Sequence, residues 1–264
     1  MKLLIVDAMN LIRRIYAAAP EGDLQIEATQ ARCMTAIARN AEQFQATHVV
    51  MVFEQKCQTW RHQMWPDYKL NRPPMPEALT QQLDSISGYF RANGLPCLDL
   101  AGWEADDVIA TLANKAAFAG LAVMILSTDK GFCQLVNGRI QVRNHFDRFT
   151  YDELMVEQKF GLQPSQLVDY WAMTGDSTNH LPGVEGIGPK TAGHLLDQYQ
   201  SLDNILVNLQ QLDSDAANRK AANKLTQHWQ TALLTRILAA LRLDVPLGIN
   251  LSDLRWQVSQ ALSS

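Results

Sequence analysis

The chain has 264 residues, 47% of them hydrophobic and 19% charged, with 23 Lys and Arg against 27 Asp and Glu. That length and balance read as a soluble globular protein with one large core or two small ones, and the formal net charge of −4 excludes a uniformly basic nucleic-acid binder. Cys33, Cys57, Cys97 and Cys133 form no C-x-x-C pair and no zinc-spaced group, so they read as reduced thiols rather than a disulfide framework. The apolar start, Met1 to Val6, is interrupted by Asp7, Arg13 and Arg14 too early for a signal peptide, and no apolar run is long enough to span a membrane. A cytoplasmic protein is expected, without a membrane partner.

Leu3-Leu4-Ile5-Val6 predicts a buried parallel strand that ends at Asp7 and leads into a helical pattern. An acid at the end of a first strand lies where open α/β sheets hold ligands, although Asp7 also suits the cap of the next helix. A helix is predicted from about Leu24 to Gln45, and a second strand over His48 to Phe53, closed by Glu54. Leu121 to Thr128, closed by Asp129, is a third, and Arg139 to Arg143 a further strand after the Asn137-Gly138 turn. Helical segments between the strands predict an α/β class with a parallel sheet. If these strands are neighbours, Asp7, Glu54 and Asp129 meet on one rim.

Residues 55–74 have a different character. Lys56, Arg61, Lys69 and Arg72 outnumber the single acid Asp67, and Trp60, Trp65 and Tyr68 are interleaved with them. Cations and aromatics together suit a nucleic-acid strand, the phosphates meeting Lys and Arg and the bases stacking on rings. The alternative is a loop whose aromatics anchor in the core. Pro73, Pro74 and Pro76 prevent a long regular helix there.

Trp103-Glu104-Ala105-Asp106-Asp107 opens the apolar helical run from Val108. Glu104 and Asp107 share a helix face with Asp106 beside them. One or two acids are ordinary in a first helical turn. Three repel one another unless a cation lies between them, and a hard divalent ion such as Mg²⁺ takes carboxylate oxygens.

The second half is mostly helical. After a break at 160–164, Ser165 is expected to cap the helix that follows. Gly183, Gly186 and Gly188 allow a tight hairpin, and Pro189 suits the first turn of the next helix. The N–H groups at that helix start, with Lys190, would hold a phosphate without reading its base, which makes this a helix-hairpin-helix clamp on duplex backbone. The remainder to Ser264 is predicted as amphipathic helix, with Arg219, Lys220 and Lys224 extending a basic surface.

Five markers in this order, Val6-Asp7 with Asn10, Tyr68-Lys69 with Arg72, Glu104-Ala105-Asp106-Asp107, Ser127 to Lys130, and Gly183 to Lys190, resemble the 5′-nuclease (flap endonuclease) superfamily over nearly the whole chain. The resemblance implies an α/β nuclease core over 1–158, with an arch at about 55–90 that a 5′ single strand threads, and a helical helix-hairpin-helix region over 159–264. It implies Mg²⁺, with Mn²⁺ as an alternative, held by Asp106 first and by Glu104, Asp107, Asp7 and Asp129. Lys69 and Arg72 are then the catalytic cations on the scissile phosphate. It also implies K⁺ on the main-chain carbonyls of Met173, Thr174, Pro182, Val184 and Ile187, and a DNA-contacting turn of Gly186, Ile187, Gly188, Pro189, Lys190 and Thr191. The expected partner of this monomer is DNA with a 5′ flap or 5′ single-stranded end, bound without sequence preference.

The chain departs from the family pattern at Gly131 and Asn179, where full-length relatives carry acids, and Glu54 stands where Asp is commoner. One firm divalent site and a weak or absent second one are therefore expected. The rival reading is a flap- or junction-binding protein with little or no nuclease activity, because a two-metal clamp needs both positions filled.

Overall fold

The computed structural model describes residues 1–55, 57–70 and 72–256. In chain order the elements are β1 (Lys2–Asp7), α1 (Ala8–Ala17), α2 (Gln25–Phe44), β2 (His48–Val52), α3 (Trp60–Met64), α4 (Glu77–Gln81), α5 (Leu83–Ala92), β3 (Cys97–Leu98), α6 (Ala105–Phe118), β4 (Ala122–Leu126), β5 (Ile140–Asn144), β6 (Phe149–Tyr151), α7 (Glu153–Phe160), α8 (Leu167–Thr174), α9 (Pro189–Tyr199), α10 (Leu202–Val207), α11 (Leu209–Ser214) and α12 (Arg219–Ala239). They form two compact units, one of Met1–Thr59, Pro74–Asp152 and Arg242–Ser264, the other of Trp60–Pro73 and Glu153–Leu241. Among the described residues no helix is long and apolar enough to cross a membrane.

The first unit is built on a six-stranded sheet of order β3-β2-β1-β4-β5-β6, parallel except for β6. Ile5 pairs with Val50 on one side and with Ile125 on the other, so β1 is central. Leu3, Leu4, Ile5 and Val6 are wholly buried, and each contributes about 2 kcal/mol through burial. That burial fixes the register, because a slip of one residue would turn each side chain to the opposite face. It thereby fixes where the strand exits fall. Since β2, β1 and β4 are adjacent and parallel, the chain leaves all three at one edge, and Glu54, Asp7 and Asp129 follow in that order across it. The predicted strands occur within a residue or two of their expected bounds. The sequence reading misses β3 and β6, of two and three residues, which are too short to show a period.

Residues expected in the arch divide between the units. The α4–α5 segment belongs to the first unit, where Leu79, Ile86 and Phe90 are buried in the sheet's core. Residues 60–73 belong to the helical unit.

The predicted helix to Ser264 requires correction. Helix α12 ends at Ala239, and beyond Arg242 the described chain is an irregular strap of the first unit with one 3-10 turn, Leu251–Leu254. Arg242 N donates to Asp107 Oδ1 at 2.9 Å and Thr111 Oγ1 donates to Arg242 O at 3.0 Å. Farther along, Trp256 N donates to Thr47 O at 3.0 Å. Pro246 and the left-handed Gly248 (φ 63) forbid a continued helix. Residues 257–264 lie outside the described residues.

In the second unit α8 packs on α9 and α12. Arg236 of α12 pairs with Asp169 of α8 at 2.7 Å and with Asp203 of α10 at 2.8 Å, and Asp169 Oδ2 accepts from Leu202 N at 2.8 Å. Ser165 is not the cap of α8. It lies inside a 3-10 turn, Pro164–Gln166, where Gln163 N donates to Gln166 Oε1 at 3.0 Å, and no side chain caps α8.

Candidate active site

Asp7 is both the last residue of β1 and the N-cap of α1, its Oδ1 accepting from Asn10 N at 3.1 Å. Its Oδ2 accepts from Ser127 Oγ at 2.7 Å, and Asn10 Oδ1 accepts from Thr128 N at 3.1 Å. These bonds tie the exit of β1 to that of β4. Asp129 caps the short turn Lys130–Leu135, its Oδ1 accepting from Gly131 N at 2.7 Å. The capping and rim readings therefore both hold for Asp7, because an ionised carboxylate has room for about four acceptor bonds, and Asp129 proves to be a cap as well. Glu54 is exposed.

Burial pushes the Asp7 carboxyl up to about 6 from its ordinary 3.8, with the Asp129 and Glu54 charges adding to the rise and the Ser127 and Asn10 hydrogen bonds opposing it. Between about pH 4 and 6 the folded chain keeps a proton on Asp7 that the unfolded chain has released, so stability falls as pH rises through that window and is level above it. Asp7→Asn removes the loss. The metal-free variant is expected to exceed wild type at neutral pH by on the order of 2 kcal/mol and to converge with it near pH 3.5, as followed by urea unfolding. A metal-free wild type at least as stable as the variant at neutral pH would contradict this.

Glu104 is the N-cap residue of α6, wholly buried, and its Oε1 accepts from Thr59 Oγ1 at 2.8 Å. Asp106 is half-buried in the first turn, and Asp107 is wholly buried with Oδ1 on Arg242 N. Among the described residues no three Asp, Glu, His or Cys side chains converge closely enough to enclose an ion directly. What the donor set fits is a hard cation held largely through waters, as Mg²⁺ often is. The upward push on Asp7 by burial and two neighbouring acids is the stress that such a cation would relieve.

In the helical unit the basic-aromatic segment is only partly free for a ligand. Arg61 is 1% exposed, with Nε donating to Leu238 O at 2.8 Å and Nη2 to Ala240 O at 2.9 Å. It satisfies carbonyls at the C-terminus of α12, where a cation is favoured, and lies over the Trp60 ring at 4.4 Å. Trp60, Trp65 and Tyr68 pack with Leu181, Leu234 and Leu238. Arg61 and Tyr68 are buried as core anchors, while Trp60 and Trp65 are half-buried against the same cluster. Lys56 lies outside the described residues. Lys69, left-handed at φ 57, has its Nζ 5.0 Å from the Tyr68 ring, and Arg72 Nη2 donates to Asn179 Oδ1 at 2.7 Å.

Two helices, α8 and α9, are joined by the glycine-rich turn. The turn closes through paired bonds between Asp176 and Leu181, at 3.1 and 2.9 Å. Met173 O accepts from Val184 N at 2.8 Å, Val184 O accepts from Ile187 N at 2.9 Å, and Pro182 O accepts from Thr235 Oγ1. Met173, Thr174, Pro182, Val184 and Ile187, the residues expected to offer main-chain carbonyls to K⁺, all lie on this turn or at its ends. Gly186 is left-handed at φ 85, Gly188 is the N-cap of α9, Pro189 is at its first position, and Lys190 is exposed. Ile187 is buried under this turn and Thr191 is half-buried.

The fold is an α/β unit on a mostly parallel sheet with acids at the exits of its adjacent strands, followed by a helical region. The family description "5′-3′ exonuclease, N-terminal resolvase-like domain" matches residues 2–161 and "5′-3′ exonuclease, C-terminal SAM fold" matches residues 162–261. The chain belongs to the 5′-3′ exonuclease family. It is 46% identical over 264 residues to Flap endonuclease Xni of Pectobacterium carotovorum subsp. carotovorum (strain PC1), covering 99% of this chain and 97% of the relative. It is 42% identical over 256 residues to Flap endonuclease Xni of Vibrio parahaemolyticus serotype O3:K6 (strain RIMD 2210633), covering 96% of each. The fold is also that of T5 5′-exonuclease with bound zinc, at TM-score 0.76 and 20% identity over 90% of this chain and 89% of the other.

Proposed function

We propose that the chain is a structure-specific 5′-3′ nuclease that hydrolyses phosphodiesters at the base of 5′ flaps or near 5′ ends of DNA. The observation that carries the reading is the row of acids at the exits of the adjacent parallel strands, Glu54, Asp7 and Asp129, with Asp7 buried at the end of the central strand and its carboxyl raised first by that burial and further by the Asp129 and Glu54 charges. A structural acid gains nothing from such neighbours, whereas a cation site requires them. The whole-length similarity to flap endonucleases supports the same conclusion.

Asp106, Glu104, Asp107, Asp7 and Asp129 would hold Mg²⁺ directly or through waters. When bound, the ion polarises a phosphoryl oxygen and makes a water more acidic at neutral pH. Ser127 orients Asp7, and Thr59 orients Glu104, so neither acid needs to reorganise when substrate arrives. Lys69 and Arg72 supply cationic N–H donors for the phosphate and its developing charge. The α8–α9 turn acts as a helix-hairpin-helix, the first N–H groups of α9 and Lys190 gripping duplex backbone with K⁺ on the turn's carbonyls. These contacts read no base edges, so the sequence of the flap is immaterial.

The test is cleavage of end-labelled 5′-flap, 3′-flap, nicked and single-stranded DNA of common sequence. The 5′ flap should be cut at its base, and with the flap sequence permuted the rate should be unchanged. Equal cutting of 3′ flaps would contradict the reading.

A further inference from the structure

Asn179 joins two segments of the helical unit. Its main-chain carbonyl accepts from Lys69 N at 2.9 Å. Its Oδ1 accepts from Arg72 Nη2 at 2.7 Å, while its Nδ2 donates to Asp176 Oδ2 at 2.6 Å. Asp176 Oδ1 in turn accepts from Thr178 N at 2.9 Å. The next residue continues the seam, since Trp65 Nε1 donates to His180 O at 3.2 Å and His180 Nδ1 bonds Asp67 O at 3.0 Å. Both Lys69 (φ 57) and His180 (φ 53) are left-handed, a conformation that residues with a Cβ hold only where their surroundings impose it.

The chemistry of position 179 follows from these partners. A carboxamide accepts and donates at once, so it can link a guanidinium to a carboxylate. An Asp there would still accept from Arg72, but it would set a second carboxylate 2.6 Å from the Asp176 oxygen. Two acids so close need a proton or a cation between them. Asn supplies an amide N–H in that place, and the sequence departure becomes a replacement rather than a loss.

We propose that Asn179 is a positioning residue: the chain Arg72–Asn179–Asp176 fixes the plane of the Arg72 guanidinium for a phosphate and keeps the Lys69–Arg72 segment assembled with no ion between positions 176 and 179. This rests on the nuclease reading above, and it adds a role for a residue that touches neither the phosphate nor the ion.

Single-turnover cleavage of a 5′-flap duplex by N179A, R72A and N179A/R72A, with equilibrium duplex binding measured alongside, tests it. N179A should cut roughly tenfold more slowly, the size of one lost charge-assisted hydrogen bond, with duplex binding within about twofold of wild type. The double variant should be no slower than R72A, because the amide acts only through Arg72. Multiplicative losses in the double variant would overturn the proposal. N179D should be slow at low Mn²⁺ and recover as Mn²⁺ rises, a cation standing in for the amide hydrogens; a rate unaffected by the substitution at every Mn²⁺ concentration would also overturn it. Side-chain NMR of ¹⁵N-arginine-labelled protein gives an arm independent of cleavage: slow rotation of the Arg72 guanidinium in wild type, lost in N179A. A freely rotating Arg72 in wild type would refute the fixation itself. A wild type that cuts no flap yet shows the slow guanidinium would fail the nuclease reading and leave the fixation standing.

Discussion

Asp106→Ala is expected to lower 5′-flap cleavage by about a thousandfold or more, since Lewis-acid stabilisation is worth several kcal/mol and each ~1.4 kcal/mol is tenfold in rate. Asp106 projects from the first turn of α6 and is half-buried, so its truncation leaves no core cavity. Thermal unfolding should shift by no more than about 2 °C, as for substitutions away from packed features. Duplex binding should persist, because the backbone contacts are assigned to the residues of the α8–α9 turn and not to Asp106. Single-turnover rates with saturating enzyme separate chemistry from binding. Retention of more than a tenth of the wild-type rate would remove Asp106 from the ion's ligands. Glu104 is a poorer probe of the same claim. It is wholly buried and accepts from Thr59, so its loss mixes folding with chemistry.

Gly183→Ala should damage folding rather than chemistry. A Cβ at Gly183 would lie 2.5 Å from Gly175 N and from Thr174 C, and 2.7 Å from Thr174 O. All three are main-chain atoms and cannot rotate aside as a side chain would. The hairpin must open or α8 must shift, at a cost on the order of 3 kcal/mol, which lowers the melting temperature by roughly 10 °C for a chain of this size. Gly188→Ala is the control. Its Cβ would meet nothing within 4 Å, and its φ of −95 suits any residue. That variant should melt within about 1 °C of wild type but bind duplex more weakly, because the added methyl stands at the mouth of the α9 N-terminus. A Gly183→Ala protein as stable as wild type would contradict the packing described for the turn.

These two sites were also the parts most legible in the sequence, for a physical reason. The acids at 104–107 and the glycine turn at 183–188 are local features whose spacing is itself the signal. The sheet was legible because β1, β2 and β4 are unbroken apolar runs ended by acids, and their adjacency then followed from parallel pairing. What sequence could not give depends on contacts far apart in the chain. Arg61 looks like a cation for phosphate until the C-terminus of α12, 177 residues away, is seen to need its N–H groups. Tyr68 looks like a stacking ring until Leu181 and Leu238 are seen to bury it, with Trp60 and Trp65 half-buried beside them. Thr59 carries no motif and is recognised only by the acid it orients, and Ser127, though part of a marker, shows its role only through its bond to Asp7. Asn179 was visible as a missing acid, but its partners 72 and 176 were needed to show what it does. The strap from Arg242 to Trp256 replaces a predicted helix because its residues bind Asp107, Thr111 and Thr47, none of which is near in sequence.

The central claim is metal-dependent cutting at a 5′ flap. The purified protein should be incubated in K⁺ buffer with a labelled 5′-flap duplex and either Mg²⁺ or EDTA, resolving products to the nucleotide. Cleavage at the flap base with Mg²⁺ and none with EDTA is the predicted result. Tight binding of the flap with no cut across Mg²⁺ and Mn²⁺ concentrations would contradict it and would make the chain a flap-binding protein.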